Sequence, residues 1–339
     1  MTRGVPDSET VRAAIALAGR APSIHNSQPW LWTMRDLTLQ LTTAEQRRLG
    51  ATDPAARDML LSCGAAVQHA QVAFAALGWA TDVRWLPGTL HPDRVAALRF
   101  RRAVPSPHDT ALSAAICARR SDRRPYDANR AVTDDDLHPV LAGARRPGIH
   151  IGRIDSAADL TELDQLMHEA IDSRTADPAW LIEQQLWADP YLSPGVGIPS
   201  SNTPHDHQPF GRGTSTKTAT GTGALGTLLL LATDRDDPQS CLEAGAATSA
   251  LLLEATATGL STCVLSLVTE VDSTRSALRR RLLADAAEPQ LLVRIGWQPA
   301  DSEPLPATPR LRLDEVLRFA PGPSASPRWR YLSHPGAKT

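Results

Sequence analysis

The spacing of apolar residues predicts an alternation of helices and strands along the first part of the chain. Thr10–Ala18 predicts a short amphipathic helix. A long helix is predicted to open at Asp53-Pro54, since Asp suits an N-cap and Pro the first helical position. Gly78 is placed to end that helix. Strands are predicted over residues 31–41, 81–86 and 95–100.

The second part of the chain repeats this plan. Its predicted helices cover residues 109–119, 158–173, 237–259 and 273–283, and its predicted strands 149–154, 225–232, 261–267 and 290–296. Gly64-Ala65-Ala66 recurs as Gly245-Ala246-Ala247, and Gly78 as Gly259, both at an offset of 181 residues. We interpret this as two copies of one α+β unit, packed like a homodimer whose subunits have been joined. Residues 1–108 would form the first lobe and 109–339 the second.

One long segment of the second lobe does not have the composition of a packed core. From Asp189 to Thr222, 20 of 34 residues are Pro, Gly, Ser or Thr. A segment of this kind within a compact protein is either a lid or binding loop, or disordered. Its flank, Trp180–Trp187, is apolar enough to dock on another part of the protein. We therefore expect a lid insertion at about residues 180–222, with disorder as the alternative.

Composition restricts the classes of function. The formal net charge of −2 predicts no broad attraction to nucleic acid or to an anionic membrane. The N-terminal residues carry no apolar signal core, and no uninterrupted apolar run approaches the length of a membrane helix. The four cysteines stand far apart, so we expect core thiols in a reducing compartment and a cytoplasmic location. Asp134-Asp135-Asp136 could suggest a metal site, but three acids before Leu137 are more typical of a helix start.

Two loops carry candidate binding chemistry. The first holds Ser23, His25, Asn26 and Gln28 between Pro22 and Pro29-Trp30. Prolines stiffen the backbone, which suits recognition of a heterocycle edge; a turn that anchors Trp30 in the core is the alternative. The second holds Arg119, Arg120, Arg123 and Arg124 around Ser121. Guanidinium groups and a hydroxyl suit phosphate oxygens, and a solvated charge run that caps a helix is the alternative.

Together these loops resemble those of FMN-dependent nitroreductases. Pro22-Ser23-Ile24-His25-Asn26-Ser27-Gln28-Pro29-Trp30 is similar to the P-S-x-x-N-x-Q-P-W stretch of that family, and Arg119-Arg120-Ser121-Asp122-Arg123 to its R-x-S-x-R/K phosphate motif. Gly259–Cys263, Leu292–Trp297 and Thr308–Arg310 resemble three further segments. The ordinary family carries both loops in each subunit, whereas here they stand in separate halves. This arrangement resembles the Acg-like subgroup, which is described as having a lid over its flavin.

The resemblance implies a fold, a cofactor and a set of site residues. The fold would be α+β and nitroreductase-like, with two pseudo-symmetric lobes resembling a nitroreductase homodimer in one chain, as a monomer or a weak homodimer. One FMN would lie between the lobes. The residues implied for its phosphate and ribityl chain are Arg119, Arg120, Ser121, Arg123 and Arg310, and those for its ring are Pro22, Ser23, Ile24, His25, Asn26 and Gln28. Leu265, Ser266 and Leu267 stand where the family places an acidic residue and a glycine against flavin N5, and that pair is absent here.

Three functions are compatible with this resemblance. The first is an oxidoreductase that passes a hydride from NAD(P)H through FMN to a nitro compound, a quinone or another small aromatic acceptor, with no catalytic side chain required. The second is a protein that binds or sequesters FMN beneath the lid with little turnover. The third is a scaffold that has lost its flavin, and the retained arginines argue against it. No glycine-rich fingerprint follows a predicted strand, so no Rossmann dinucleotide site is expected.

Overall fold

Two β-sheets and two long central helices form the framework of the protein. The computed structural model describes residues 4–86, 93–189, 195–197 and 226–320. The α-helices are α1 Ser8–Ala18, α2 Arg57–Ala76, α3 Pro107–Ala118, α4 Asp134–Ala144, α5 Ala157–Thr175, α6 Pro178–Ala188, α7 Pro238–Ala257, α8 Leu267–Glu270, α9 Asp272–Leu282 and α10 Leu313–Val316. The strands are β1 Trp30–Arg35, β2 Thr38–Thr43, β3 Trp79–Trp85, β4 Arg94–Arg102, β5 Ile149–Ile154, β6 Thr227–Thr233, β7 Ser261–Leu265, β8 Glu288–Gly296 and β9 Leu317–Phe319.

Each half of the chain contributes one sheet. The first has the order β3-β4-β2-β1-β9, and the second the order β5-β6-β8-β7. All pairs in the second sheet are antiparallel, whereas β9 joins the first sheet parallel to β1, with Trp32 opposite Leu317. The end of the described chain thus completes the sheet of the N-terminal half.

The apolar cores follow from this layering. One core lies between the first sheet, α1 and α2. The second sheet is covered on both faces, by α4 and α7 on one side and by α5 and α9 on the other. Strand β6 supplies Leu229 and Leu231 to one face and Leu228 and Leu230 to the other, as the two-residue period of a strand requires. Its continuous apolar run is therefore the pattern of a fully buried strand, as predicted.

Helices α2 and α7 cross at two glycines that the repeat had singled out. A Cβ at Gly64 would overlap the carbonyl oxygen of Leu242, and one at Gly245 would overlap that of Leu61. Each glycine therefore lets the backbone of the other helix approach. Helix α7 begins and ends 181 residues after α2, the same offset as the sequence repeat. The two helices occupy equivalent places, although duplication of an ancestral unit stays a prediction.

Helix α2 is long and apolar enough to span a membrane by length and composition alone, with a mean hydropathy of 1.3 in its most apolar window. Of that window, 78% is buried inside the protein. The central position of α2 between the two cores accounts for its apolar composition.

The structure corrects three local predictions. The run 31–41 is a hairpin of β1 and β2, because the chain turns at Asp36, where φ is +51°. Helix α2 begins at Arg57, and Asp53 still acts as a cap, because its carboxylate accepts a hydrogen bond from the Met59 amide at 2.8 Å. Cys117 is exposed, whereas the other three cysteines are buried.

Two further predictions have different outcomes. The acids Asp134–Asp136 form the first turn of α4, which confirms the helix start. Most of the predicted lid segment, residues 190–194 and 198–222, lies outside the described residues.

Candidate cofactor site

One cavity brings together the two loops that the sequence analysis singled out. Its wall includes residues 22–25 of the proline-bounded loop, Ser121 and Arg123 of the basic loop, and residues 263–267 at the end of β7. Helices α2 and α7 contribute Ala65 and Gly245 near their crossing. The site therefore lies between elements of both halves of the chain.

The proline-bounded loop is held against α2 in a strained conformation. The Ile24 amide donates to the Ser62 hydroxyl of α2 at 3.2 Å, and the Gln28 amide donates to the Ser23 hydroxyl at 3.0 Å. His25, Asn26 and Gln28 have φ values of +45°, +53° and +48°. Non-glycine residues rarely adopt this left-handed region, and such strain clusters at functional sites. The loop thus presents Ser23, Ile24 and His25 to the cavity in a fixed geometry.

Asn26 and Gln28 bind protein groups in this structure and are not among the residues that line the cavity. The Asn26 amide donates to the Pro309 carbonyl at 3.0 Å. The Gln28 amide donates to the Gly195 carbonyl at 2.8 Å and accepts from the Leu311 amide at 3.0 Å. These two side chains hold residues 309–311 beside the loop, and that contact positions Arg310.

The basic loop is fixed to β7. The Asp122 amide donates to the Thr262 carbonyl at 2.8 Å, and Ser121 bridges Thr262 in parallel register. Because adjacent residues of an extended chain alternate in direction, Ser121 and Arg123 face the cavity while Asp122 is buried. The Asp122 carboxylate pairs with Arg124 at 2.7 Å, which leaves Arg124 outside the cavity wall.

Arg119 and Arg310 meet beside the start of the proline-bounded loop, and neither they nor Arg120 are among the residues that line the cavity. Both guanidinium groups donate to the Arg20 carbonyl, at 3.4 Å from Arg119 and 3.2 Å from Arg310. Within the described part of the chain, neither arginine forms an ion pair with a carboxylate. The Arg119 Nε and Nη1 atoms are buried with no hydrogen-bond partner among the described residues. A buried donor group of this kind requires an anionic or polar partner.

Repulsion between the arginines is a second reason why this region favours an anionic partner. Burial first, and then Arg120 and Arg20, lowers the pKa of Arg119 to about 10. Burial first, and then Arg119 and Arg20, lowers the pKa of Arg310 to about 9. Both side chains stay charged at neutral pH. We call Arg20, Arg119, Arg120 and Arg310 the arginine cluster; it is an excess of positive charge that suits a phosphate.

Arg120 has a second role that the sequence analysis left open as an alternative. Its guanidinium donates to the Cys117 and Arg119 carbonyls, each at 2.8 Å, at the end of α3. It therefore caps the negative end of that helix. Arg20 was missed by the sequence analysis, because an arginine next to a helix end carries no motif.

The end of β7 brings an acid to the cavity from an unexpected position. Leu265, Ser266 and Leu267 all line the cavity, as predicted residues of the site. The Ser266 hydroxyl donates to the Glu270 carboxylate at 2.6 Å, and Glu270 also lines the cavity. A carboxylate thus reaches this region from one turn further along the chain, although the acidic residue and glycine of the family are absent from residues 265–267.

A second acid faces the cavity from the first turn of α2. Asp58 is buried, with 7% of its surface exposed. Burial first, and then the Glu270 and Asp53 carboxylates, raises the pKa of Asp58 well above its usual range. Burial likewise raises the pKa of Glu270 and of Asp53. We call Asp53, Asp58 and Glu270 the acid cluster; the sequence analysis missed all three as site residues.

Two large side chains complete the wall. Trp180 of α6 lines the cavity, and its buried indole nitrogen has no hydrogen-bond partner among the described residues. The neighbouring Gln184 donates to the His25 imidazole at 3.3 Å, so α6 is tied to the proline-bounded loop. Arg294 of β8 also lines the cavity, and its guanidinium stacks on the Tyr126 ring at 4.6 Å. Neither Trp180 nor Arg294 had been assigned to the site from sequence.

Comparisons with known proteins agree with this arrangement. Residues 116–297 match the Nitroreductase family. A Mycobacterium tuberculosis protein named "Putative NAD(P)H nitroreductase Rv3131" is 35% identical over 328 residues, which cover 94% of each chain. Another, "Putative NAD(P)H nitroreductase acg", is 34% identical over 333 residues, which cover 91% of this chain and 96% of that protein. The chain belongs to the nitroreductase family, and its resemblance to Acg-like members is confirmed.

A solved structure of lower similarity is the FMN-dependent nitroreductase NfnB from Mycobacterium smegmatis in complex with NADPH. It is 16% identical, and the match covers 62% of this chain and 99% of that one, with a TM-score of 0.39.

Proposed function

We propose that this protein binds one FMN in the cavity between its lobes and acts as an oxidoreductase. Its electron donor would be NAD(P)H, and its acceptor a nitro compound, a quinone or a related small aromatic molecule. The proposal retains two lobes, residues 1–108 and 109–339, as halves of one site, in a chain that acts as a monomer or a weak homodimer.

The arginine cluster is the observation that carries this proposal. Arg119 has two buried donor atoms with no described partner, and Arg310 lies beside it without a carboxylate. An ordinary structural arginine of a protein interior is paired. A phosphate monoester would supply the missing negative charge through charge-assisted hydrogen bonds. The chemistry of the donor set therefore fits the phosphate of FMN.

The remaining residues fit the other parts of the cofactor. Ser121 and Arg123 supply polar groups on the cavity wall. The arginine cluster lies behind that wall, where Arg310 donates to the carbonyl of Ala21, the residue before Pro22 of the wall. Ser23, Ile24 and His25 form a rigid part of the cavity wall that also includes residues 265–267, which suits a flat heterocycle. FMN, when bound, supplies hydride transfer at its N5 position. The part of this chain is to hold the ring, exclude water and leave one ring face open to a small aromatic molecule.

Sequestration of FMN is the second candidate, and the position of α6 favours it. Trp180 lies on the cavity wall with 8% of its surface exposed, and Gln184 binds the loop that would hold the ring. Glu183 accepts hydrogen bonds from the Ala51 and Thr52 amides, at 3.1 and 2.7 Å. These contacts fasten α6 over the site, and a nicotinamide must displace or pass it. A helix that never moves would permit binding of FMN but little turnover.

Flavin content is the first test. Protein purified under native conditions is expected to be yellow and to release one FMN for each chain on denaturation, measured by flavin absorbance. A colourless protein that does not take up added FMN would rule out both candidates.

Anaerobic mixing with NADPH separates the two candidates. Loss of flavin absorbance within seconds, followed by its return on addition of a quinone, is expected for the oxidoreductase. Retention of the oxidised spectrum over hours, with both NADPH and NADH, would leave sequestration. Trp180→Ala is the matched variant, because a wall residue that blocks access should speed reduction when it is shortened.

A further inference from the structure

Asp58 and Glu270 form the wall between two cavities. The inner cavity is the proposed cofactor site. The outer cavity is polar and is lined by Thr52, Asp53, Arg57, Arg174 and Asp272 among others. Of the described residues, Asp58 and Glu270 alone line both cavities. These two residues therefore lie where the cofactor site adjoins a second, polar space.

The neighbouring arginines are largely engaged elsewhere. Arg57 donates to the Gln290 side chain at 2.7 Å and to the Thr269 carbonyl at 3.3 Å, and its Nε lies 3.6 Å from Asp236. Arg174 donates to the Ala51, Thr52 and Glu270 carbonyls, and its Nη2 lies 3.8 Å from the Glu270 carboxylate.

The acid cluster is therefore under-compensated. Three buried carboxyl groups face two cations whose hydrogen bonds go mainly to carbonyl groups. The charged and titratable groups that face Asp58 are Asp53, Arg57, Arg174, Glu270 and the Cys241 thiol. Like charges in a buried site disfavour full ionisation, which favours retention of a proton by such a group of acids.

We propose that Asp58 and Glu270 hold one proton between them, donate it to the reduced acceptor in the inner cavity, and regain it from solvent through the outer cavity. This inference rests on the proposed oxidoreductase function and adds a proton route to it. The pair would act as one unit, because both residues line both spaces and the Glu270 carboxylate acts on the pKa of Asp58.

The chemistry requires a second proton, which the carboxyl pair can supply. A hydride equivalent consists of two electrons and one proton. A quinone that receives it becomes a hydroquinone monoanion. The electrons and the first proton originate from the reduced nicotinamide. The second proton comes from the carboxyl pair: its O–H bond breaks, a new O–H bond forms on the phenolate oxygen, and the pair carries one more negative charge. A proton from solvent then restores the pair through the outer cavity, and the neutral hydroquinone leaves.

Infrared spectroscopy tests the stored proton without any flavin. The flavin-free protein is expected to show the carbonyl stretch of a protonated carboxylic acid at a pH above the ordinary pKa of a carboxyl group, and to lose it as the pH rises further. Asp58→Asn and Glu270→Gln should each diminish that band, since both residues share the proton. The control Asp272→Asn, an exposed acid on the outer cavity, should leave the band unchanged. Absence of the band from the wild-type protein, or its persistence in both buried variants, would overturn the proposal.

Reoxidation kinetics test the donation. Flavin in the protein is reduced chemically under anaerobic conditions and then mixed with a quinone. The return of flavin absorbance should slow by about 100-fold in Asp58→Asn and Glu270→Gln and should lose its dependence on pH. The Asp272→Asn control should match wild type. Wild-type rates and pH profiles in both buried variants, with flavin retained, would refute the route.

The two proposals fail in different ways. A protein that never holds flavin contradicts the proposed function. A flavoprotein whose reduction by NADPH is normal, but whose reoxidation is indifferent to both substitutions, contradicts only the proton route.

Discussion

The arginine cluster and the acid cluster have opposite imbalances of charge. Helix α2 extends between them: Asp58 is in its first turn, and burial, followed by the charges of Arg119 and Arg310, lowers the pKa of His69, eleven residues later. At a rise of 1.5 Å for each residue, Asp58 and His69 are about 16 Å apart along the helix axis. The arginine cluster has cations without carboxylates, whereas the acid cluster has more carboxyl groups than its two arginines compensate.

This difference separates binding from chemistry within one site. A cation cannot lose its charge at neutral pH when its pKa is about 10, so the arginine cluster needs an external anion. A carboxyl group can neutralise itself by holding a proton, so the acid cluster needs no ligand. One region is thus suited to retain a phosphorylated cofactor, and the other to exchange protons beside it.

The largest expected effect comes from removal of the arginine cluster. Arg119→Ala together with Arg310→Ala should weaken FMN binding by about 100-fold or more, since each arginine contributes charge-assisted hydrogen bonds worth about 1.5–3 kcal/mol. The variant should be colourless but folded, as measured by flavin absorbance and circular dichroism. Its unfolding temperature without flavin should fall only slightly, because relief of repulsion between the cations offsets the loss of their hydrogen bonds to the Gly19 and Arg20 carbonyls.

Arg124→Ala is the matched control for that experiment. Its guanidinium belongs to the same basic loop but pairs with Asp122, so flavin content should be retained. Full flavin retention by the double variant, or equal loss in the control, would contradict the assignment of Arg119 and Arg310 to the phosphate.

The arginine cluster was largely predictable from sequence, and the acid cluster was not. Arg119 and Arg120 belong to a contiguous motif and Arg310 to the Thr308–Arg310 segment, so the sequence could identify them, whereas Arg20 has no such motif. Asp58 looks like an ordinary first-turn acid of a helix, and Glu270 is 212 residues further along the chain. Only the packing of α8 against the start of α2 brings these two carboxyl groups to one cavity wall.

The secondary structure was predictable for the same local reason. The predicted strand 149–154 coincides with β5, because its boundaries are marked by local composition. The prediction was wrong at Asp36 and Pro54, where the chain turns in ways that apolar periodicity does not record. The hydrogen bonds of Asn26 and Gln28 with residues 309–311 could not be predicted from the sequence either, because they join segments far apart along the chain.

The acid cluster should lower stability as the pH rises. Burial raises the pKa of Asp58, so the folded protein holds a proton that the unfolded chain releases above about pH 4. The contribution of this proton to the free energy of unfolding is fully present below the pKa of Asp58 in the unfolded chain. It decreases as the pH rises from that value to the raised pKa of the folded state, by at most about 1.4 kcal/mol for each pH unit. Asp58→Asn should therefore gain stability relative to wild type as the pH rises, measured by denaturant unfolding.

Asp272→Asn again serves as the control for the acid cluster, because its carboxylate is exposed. A difference between Asp58→Asn and wild type that stays constant with pH would show that Asp58 is ionised in the folded protein, and the contrast between the two clusters would be lost.

The arginine cluster should act in the opposite direction through His69. Burial first, and then Arg119 and Arg310, lowers the pKa of His69 well below its usual value, and its Nδ1 lies 2.7 Å from the Ser249 hydroxyl. The contribution of neutral His69 to the free energy of unfolding is fully present above about pH 6.5. It decreases as the pH falls below that value, by at most about 1.4 kcal/mol for each pH unit. His69→Gln should flatten this acid loss in unfolding experiments, whereas the exposed His138→Gln should not. If His69→Gln lost stability at acid pH as steeply as wild type, His69 would not be the source of this pH dependence.

The smallest expected effect is also the most selective between the clusters. Inorganic phosphate should raise the unfolding temperature of the flavin-free protein, because an anion that binds only the folded arginine cluster stabilises it by about 1.4 kcal/mol at ten times its dissociation constant. Chloride at equal ionic strength is the control for screening. The increase should vanish in the Arg119→Ala and Arg310→Ala double variant and persist in Asp58→Asn, because only the arginine cluster lacks its own counter-charge. An equal response in all three proteins would mean that phosphate acts elsewhere on the surface, and the arginine cluster would then bind no free anion.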